Sequence, residues 1–222
     1  MDERMRRSLG ALSKQELEIL SRKKAFIAGC GGIGGYLAEY LLRIGVGEIA
    51  VADFDRFEVS NLNRQLLCTE KNLGSLKAGA AAVRAAEVSS DTCFSGHVCR
   101  LDEHNLPGLL TGCDIVLDAL DNVKDRRLLK AECDRQGIPY VFGAVSGWVA
   151  QAALSRPNDG LFDFLFPADY TEEDNGILSF TPALCAAMQA ALCVCLLCGR
   201  PVKQDRLYSF DLLCMNSDTL NL

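Results

Sequence analysis

Between Lys23 and Gln65 the chain reads KKAFIAGCGGIGGYLAEYLLRIGVGEIAVADFDRFEVSNLNRQ. Its chemistry-bearing residues are Gly29, Gly31, Gly32 and Gly34, then Asp53, then a polar loop with Asn61 and Arg64. Lys77 and the pair Asp121–Asn122 stand further along. A glycine turn that opens a helix lets an anion lie against the main chain, where free N–H groups and the positive helix end favour phosphate. A carboxylate at Asp53, 24 positions beyond Gly29 and at the end of a second strand, can accept hydrogen bonds from ribose. The bland alternative is that the glycines only permit a helix to pack closely on a strand. The ordered series of strand, turn, helix, strand and acid favours a nucleotide. Arg64 and Lys77 supply cations for phosphate oxygens, and Asp121 supplies a carboxylate suited to Mg²⁺ beside them. That set fits a triphosphate and exceeds what a hydride-transfer dinucleotide site needs.

The elements that must carry these residues follow from periodicity. Ala25–Ala28 is a short apolar run of the kind that fills a buried parallel strand. Ile33, Tyr36, Leu37, Tyr40 and Leu41 recur at helical spacing, and Glu48–Ala52 is the second strand. An Ala-rich helix near 75–88 begins beside Lys77, and a third strand lies near 92–99. DIVLD, Asp114–Asp118, is a fourth buried strand. Asp121-Asn122 opens a helix to Gln136, with Gly137 at its C′ position and Pro139 as a stop. Tyr140–Ala144 is the next strand, and Trp148–Ser155 is expected to run antiparallel to it. Residues 157–180 form a long acidic loop with Phe162, Phe164, Leu165 and Phe166 as an apolar patch. Residues 181–198 form a buried helix, and Arg206–Leu212 a final strand. Strands and helices alternate, so the fold class is α/β: Rossmann-like, mostly parallel, helices on both faces, antiparallel strands toward the C-terminal end. Residues 1–22 read as a charged N-terminal arm anchored by Leu12, Leu17 and Leu20. Residues 23–222 read as one ATP-binding domain with a crossover loop near 157–180.

Composition narrows the classes. With 222 residues, 49% of them hydrophobic, the chain can bury a sizeable core. A net charge of −6 offers no broad nucleic-acid-binding face. The charged start MDERMRR lacks the apolar core of a signal peptide. The longest apolar stretch, Ala183–Leu197, is short for a membrane span and contains Gln189. Eleven cysteines, an odd count, fit reduced thiols in a cytoplasm. Cys193, Cys195 and Cys198 have metal-like spacing but no partner pair nearby, and neither His97 nor His104 is placed to complete a site. They read as small apolar core residues.

The segments VADFDRFEVSNLNRQ and LDALDNVKDR, together with Lys77, resemble the bacterial ThiF/MoeB/HesA adenylyltransferases, prokaryotic relatives of ubiquitin-activating enzymes. The resemblance covers residues 4–155 well and the remainder loosely. It implies MgATP as the nucleotide and a small ubiquitin-fold sulfur-carrier protein ending in Gly-Gly as the partner, adenylylated at its C-terminal glycine for thiamine-type or molybdopterin-type sulfur transfer. It implies that Gly31, Gly32 and Gly34 pack under the nucleotide, Asp53 binds ribose, and Asn61, Arg64 and Lys77 meet the phosphates. Asp121 then acts with Mg²⁺ at the α-phosphate, with Asn122 close by. It also implies a homodimer in which an arginine of one arm, Arg7 in this chain, enters the other subunit's site. Many relatives bind zinc through two CxxC pairs. Phe162-Asp163-Phe164-Leu165 stands where the first pair would fall, so no zinc is expected. No cysteine lies in 157–180 for covalent sulfur transfer; Cys185 lies just past it.

Each residue has a structural alternative. Asp121 can N-cap its helix, Arg64 can be a surface ion pair, Lys77 a solvated first-turn lysine, and Arg7 part of a mobile tail. Tyr36, Tyr40, Trp148 and the Phe cluster read first as packing residues. Three rival functions share the site: an ATP-dependent tRNA-modifying dehydratase, disfavoured by the acidic charge; an NAD-linked oxidoreductase; and a non-catalytic carrier-binding scaffold.

Overall fold

The computed structural model describes residues 3–167, 170–171, 175–203 and 206–221. Its frame is an eight-stranded sheet in the order β3-β2-β1-β4-β5-β6-β7-β8. The strands are β1 (Lys24–Ala28), β2 (Glu48–Ala52), β3 (Cys93–His97), β4 (Ile115–Asp118), β5 (Tyr140–Ser146), β6 (Val149–Ser155), β7 (Arg206–Asp211) and β8 (Asn216–Asn221). β1 to β5 are parallel, and β5 to β8 form an antiparallel meander. The helices are α1 (Lys14–Leu20), α2 (Gly32–Ile44), α3 (Lys77–Val88), α4 (Leu106–Leu109), α5 (Val123–Gln136), α6 (Leu161–Leu165) and α7 (Thr181–Leu197).

Strand alternation explains the layers. Ala25 and Ile27 of β1 point to the face covered by α1, α2, α3 and α7, whereas Phe26 and Ala28 point to the face covered by α4, α5 and α6. Each face therefore has its own core, as parallel strands buried on both sides require. β1 lies between β2 and β4. The chain thus leaves β1 in opposite directions, and a crevice opens at the carboxyl ends of β1 and β4. No helix among the described residues is long and apolar enough to cross a membrane.

Two expectations need correction. The stretch 157–180 is not a bare loop. It carries α6, and Phe162 and Phe166 are buried in the core with Leu161, while Phe164 stays half exposed; residues 168–169 and 172–174 of this stretch lie outside the described residues. β7 is not the last strand, because a hairpin returns through β8, whose polar NSDTLN pattern leaves every residue exposed. The N-terminal arm is helical and anchored, as its leucines predict. Met5, Leu12 and Leu20 are buried, and Ser13 with Glu16 forms a full capping box that starts α1.

Candidate active site

The glycine turn is fixed by contacts that no side chain could share. Gly29 has φ +92°, and a Cβ there would sit 2.6 Å from the Ala119 carbonyl oxygen. A Cβ on Gly34 would sit 2.0 Å from the Gly29 carbonyl oxygen. The second glycine lets helix α2 rest on the turn, and the first lets the turn rest on the loop after β4. Gly31 caps α2 without a side-chain bond, so the helix presents free backbone N–H groups at its N-terminus.

Asp53 closes this turn. Its Oδ2 accepts the Cys30 N–H at 2.7 Å, and its Oδ1 accepts the Asp55 N–H at 2.8 Å. Burial raises its pKa, with those two N–H donors pulling the other way. Lys77, at the start of α3, is 7% exposed and its Nζ lies 3.0 Å from Asp55 Oδ2. It is a buried ion-paired lysine, which overturns the solvated alternative. Arg64 donates to the Ser60 carbonyl at 3.0 Å and to Asn63 Oδ1 at 2.9 Å. It is held by its own loop, with no carboxylate within salt-bridge range among the described residues.

A cavity of about 1280 Å³ brings most of these residues together. Gly29, Gly31, Gly32, Asp53, Arg64, Lys77, Asp121 and Asn122 all line it. Gly34 lies under the turn, and Asn61 lies off the wall. The buried Asn61 accepts the Glu58 N–H through Oδ1 at 3.1 Å, so in this geometry it braces the loop that carries Arg64. Arg7 is exposed and is not on its own chain's cavity wall.

Two aspartates at the end of β4 have opposite environments. Asp118 is fully buried and saturated: Arg126, Tyr140 and the Leu120 N–H all donate to its carboxylate. Burial raises its pKa against the Arg126 charge. Asp121 is exposed to the cavity, and the Asn122 amide at 3.3 Å is the contact on its carboxylate. Asp121 is not the helix cap. Asn122 is, its Oδ1 accepting the Asp125 N–H at 2.9 Å. The Asp121 oxygens are therefore free to hold a cation. Mg²⁺ commonly takes one or two carboxylates and completes its shell with waters and phosphate, which this donor set fits. No cluster of three or more His, Cys, Asp or Glu side chains suited to a metal occurs among the described residues.

The cavity extends past the β5–β6 turn, where Trp148, Val149, Tyr170, Ile177 and Leu213 stand among the polar Ser146, Gln151, Thr171, Asn175 and Asp211. Trp148, read as a packing residue, is 42% exposed and rests on Phe180 with ring centroids 5.5 Å apart. Residues just before α7 are stitched to this end: the Gly147 N–H donates to the Gly176 carbonyl at 2.9 Å, and Asn63 Nδ2 donates to the Ile177 carbonyl at 3.2 Å. Cys185 lies on α7, fully buried, and burial pushes its thiol up to about 12. It offers no thiolate.

Three site residues escaped the sequence reading. Asp55, two positions after Asp53, was visible in the DFD triplet. Arg126 shares a helix face with the buried Leu129, Lys130 and Cys133. Gln65, the last residue of the VADFDRFEVSNLNRQ segment, lines the cavity at 6% exposure, with its Oε1 lacking a hydrogen-bond partner among the described residues.

Comparison with known proteins agrees with this geometry. The chain is 32% identical over 208 residues to the SAMP-activating enzyme E1 of Haloferax volcanii, covering 90% of this chain and 77% of that one. It is 30% identical to the adenylyltransferase and sulfurtransferase MOCS3 of Arabidopsis thaliana, covering 87% of this chain but 44% of that one. It is 36% identical to the sulfur carrier protein adenylyltransferase of Thermus thermophilus, covering 62% of this chain and 51% of that one. The last two relatives are thus about twice as long as the matched part. Among solved structures, E. coli MccB with ATP superposes with a TM-score of 0.77 at 20% identity, covering 93% of this chain and 65% of that one, a likeness of fold. A family model described as the ThiF family matches residues 4–222, and the chain belongs to the ThiF family.

Proposed function

We propose that this protein adenylylates the C-terminal glycine carboxylate of a small ubiquitin-fold sulfur-carrier protein ending in Gly-Gly, consuming ATP with Mg²⁺ and releasing pyrophosphate. The observation that carries the reading is one cavity that joins the glycine turn, Arg64, Lys77 and Asp121 to an end where exposed Trp148, Tyr170, Ile177 and Leu213 are interleaved with polar groups. Support comes from the family and from the named activities of the SAMP-activating enzyme and the Thermus adenylyltransferase. The carrier's carboxylate oxygen attacks the α-phosphorus. A P–O bond forms there, the bond to the β-phosphate bridging oxygen breaks, and pyrophosphate leaves. Bound Mg²⁺ would neutralise phosphate charge, with Asp121 holding it. The chain's own part is positioning and charge. The α2 N-terminus and Asp53 orient the nucleoside end, while Arg64 and Lys77 offset negative charge as the leaving group departs. No protein nucleophile is needed, in keeping with the buried Cys185.

Carriers of the thiamine type are the first substrates to test and those of the molybdopterin type the second; a cytoplasmic location fits both. Carrier-dependent exchange of labelled pyrophosphate into ATP is the deciding measurement. Exchange with either carrier supports the reading, whereas tight NAD binding with no ATP heat in calorimetry would sink it. The same reading makes the active species a homodimer with Arg7 reaching into its partner's site. Arg7→Ala should then lose most activity but still dimerise. Mixing Arg7→Ala with Asp121→Ala subunits should restore activity, because one site of the mixed dimer keeps both residues. Demonstrated subunit exchange without recovery removes Arg7 from the shared site.

A further inference from the structure

Asp121 sits on a short loop between β4 and α5 that should be free to move, since its own side chain is barely engaged. The loop is nevertheless closed from both ends. At its start, the Ala119 N–H donates to the Ala28 carbonyl at 2.9 Å, and the Ala119 carbonyl lies against Gly29. At its end, Asn122 caps α5. Arg126, one turn into α5 and 7% exposed, reaches back across the loop. Its Nη2 donates to the Leu120 carbonyl, and its Nη1 donates to Asp118 Oδ2 at 2.6 Å and to the Gly143 carbonyl at 2.9 Å. The guanidinium lies over the Phe142 ring, 5.0 Å from its centroid. Gln189 holds the other side of this strand end, donating to the Asp118 carbonyl at 2.8 Å.

We propose that Arg126 is a positioning residue: it closes the ring of residues 120–126 and so fixes where the Asp121 carboxylate stands in the cavity. Three acceptors on three segments converge on one planar fork. A lysine could neutralise Asp118, but a point charge on a flexible stem cannot hold the Leu120 and Gly143 carbonyls as well. Asp118 is thus the anchor, Arg126 the strut, and Asp121 the working end. Mutating groups that orient metal ligands typically costs about ten- to a hundredfold in metal affinity or activity.

The part of this inference that concerns MgATP rests on the proposed function; the part that concerns loop geometry does not. The test uses Arg126→Lys, which keeps a charge opposite Asp118 so that the fold survives. Hydrogen exchange is followed for a peptide spanning residues 119–122, with β2 as the control. Calorimetric MgATP affinity is measured for wild type, Arg126→Lys, Asp121→Asn and the double variant. The expected result is faster exchange in 119–122 alone and a loss of MgATP affinity of about ten- to a hundredfold. The double variant should bind no more weakly than Asp121→Asn, because the two residues act through one carboxylate. Unchanged loop protection, or effects that multiply in the double variant, overturns the proposal. Absence of MgATP binding by the wild type defeats the ATP reading, and the exchange arm still decides the role of Arg126.

Discussion

The two ends of the cavity are built in different ways. The end over β1, β2 and β4 brings together the glycine turn, Asp53 tied by two backbone N–H groups and Lys77 paired with Asp55, with the loosely held Asp121 and Arg64 beside them. The end beyond β5 mixes exposed apolar side chains, Trp148, Tyr170, Ile177 and Leu213, with the polar Ser146, Thr171, Asn175 and Asp211. At the first end the α2 N-terminus favours an anion. The second offers exposed aromatic and aliphatic area interleaved with polar groups, a mixture that fits another protein's surface. One cavity with two such ends is what a reaction between a nucleotide and a polypeptide tail requires. The comparison also predicts that damage at the first end costs chemistry and damage at the second costs recognition.

The largest effect should come from Asp121→Ala. Pyrophosphate exchange should fall by about a hundredfold or more, the range seen when a group that stabilises transition-state charge is removed. The fold should hardly change, because Asn122, not Asp121, caps α5. Near-normal exchange in the variant would place the metal elsewhere and erase the contrast between the two ends. Gly34→Ala comes next and acts on the fold. The added Cβ lies 2.0 Å from the backbone oxygen of Gly29, and backbone cannot step aside as a side-chain tip can. A loss of about 3 kcal/mol should appear as a lower denaturant midpoint. If urea melts of the variant and wild type coincide, the turn is more pliable than its contacts imply.

The difference between the ends also explains what the sequence could tell. The polar end is local: the glycines, Asp53 and the Asp121-Asn122 pair lie at fixed offsets from strand ends, so their grouping followed from parallel topology alone. Arg64 and Lys77 were found for the same reason, though burial of Lys77 against Asp55 was not. The second end is assembled from a β5–β6 turn, a pre-α7 segment and a β7–β8 hairpin, segments far apart in the chain. No periodicity announces that Trp148 faces a cavity and Phe162 faces the core. Both are aromatics among apolar neighbours, and tertiary packing alone separates them. β8 was missed because an edge strand exposed on all sides carries no hydrophobic alternation. The family resemblance placed Asn61 with the phosphate residues, whereas the loop uses its amide oxygen internally.

Trp148→Ala tests the second end. It should raise the KM for the carrier by about tenfold, a typical cost for truncating an exposed aromatic anchor, and leave ATP affinity unchanged. Steady-state exchange at varied carrier, with calorimetric ATP titration alongside, separates the two. A lower ATP affinity with an unchanged carrier KM would mean that Trp148 serves the nucleotide, and that the ends are not specialised as described.

The smallest effect belongs to the N-terminal segment, which is tied to the C-terminal ends of α3 and α7. Arg4 donates to Ser89 Oγ at 2.6 Å, beside the parallel half. Glu16 pairs with Arg200, just after α7, with Nη2 to Oε2 at 3.0 Å. The Arg200 bond, with help from the Ser13 donors, lowers the Glu16 pKa from 4.5 to about 2. A carboxylate depressed on folding contributes stability that is fully present above its unfolded value. That contribution is lost as pH falls through the folded value. Docking of α1 against Arg200 should therefore hold above pH 4.5 and fade toward pH 2. The pair is at the surface, so its contribution is small, and whole-protein melting is too coarse to resolve it. Hydrogen exchange of the α1 amides, corrected for intrinsic rate, should show protection falling across that window in wild type. In Glu16→Gln the protection should be lower at neutral pH and flat with acid. Identical profiles for the two proteins would show that α1 is held by Leu12 and Leu20 alone, and that the ion pair plays no part in fixing the segment that carries Arg7.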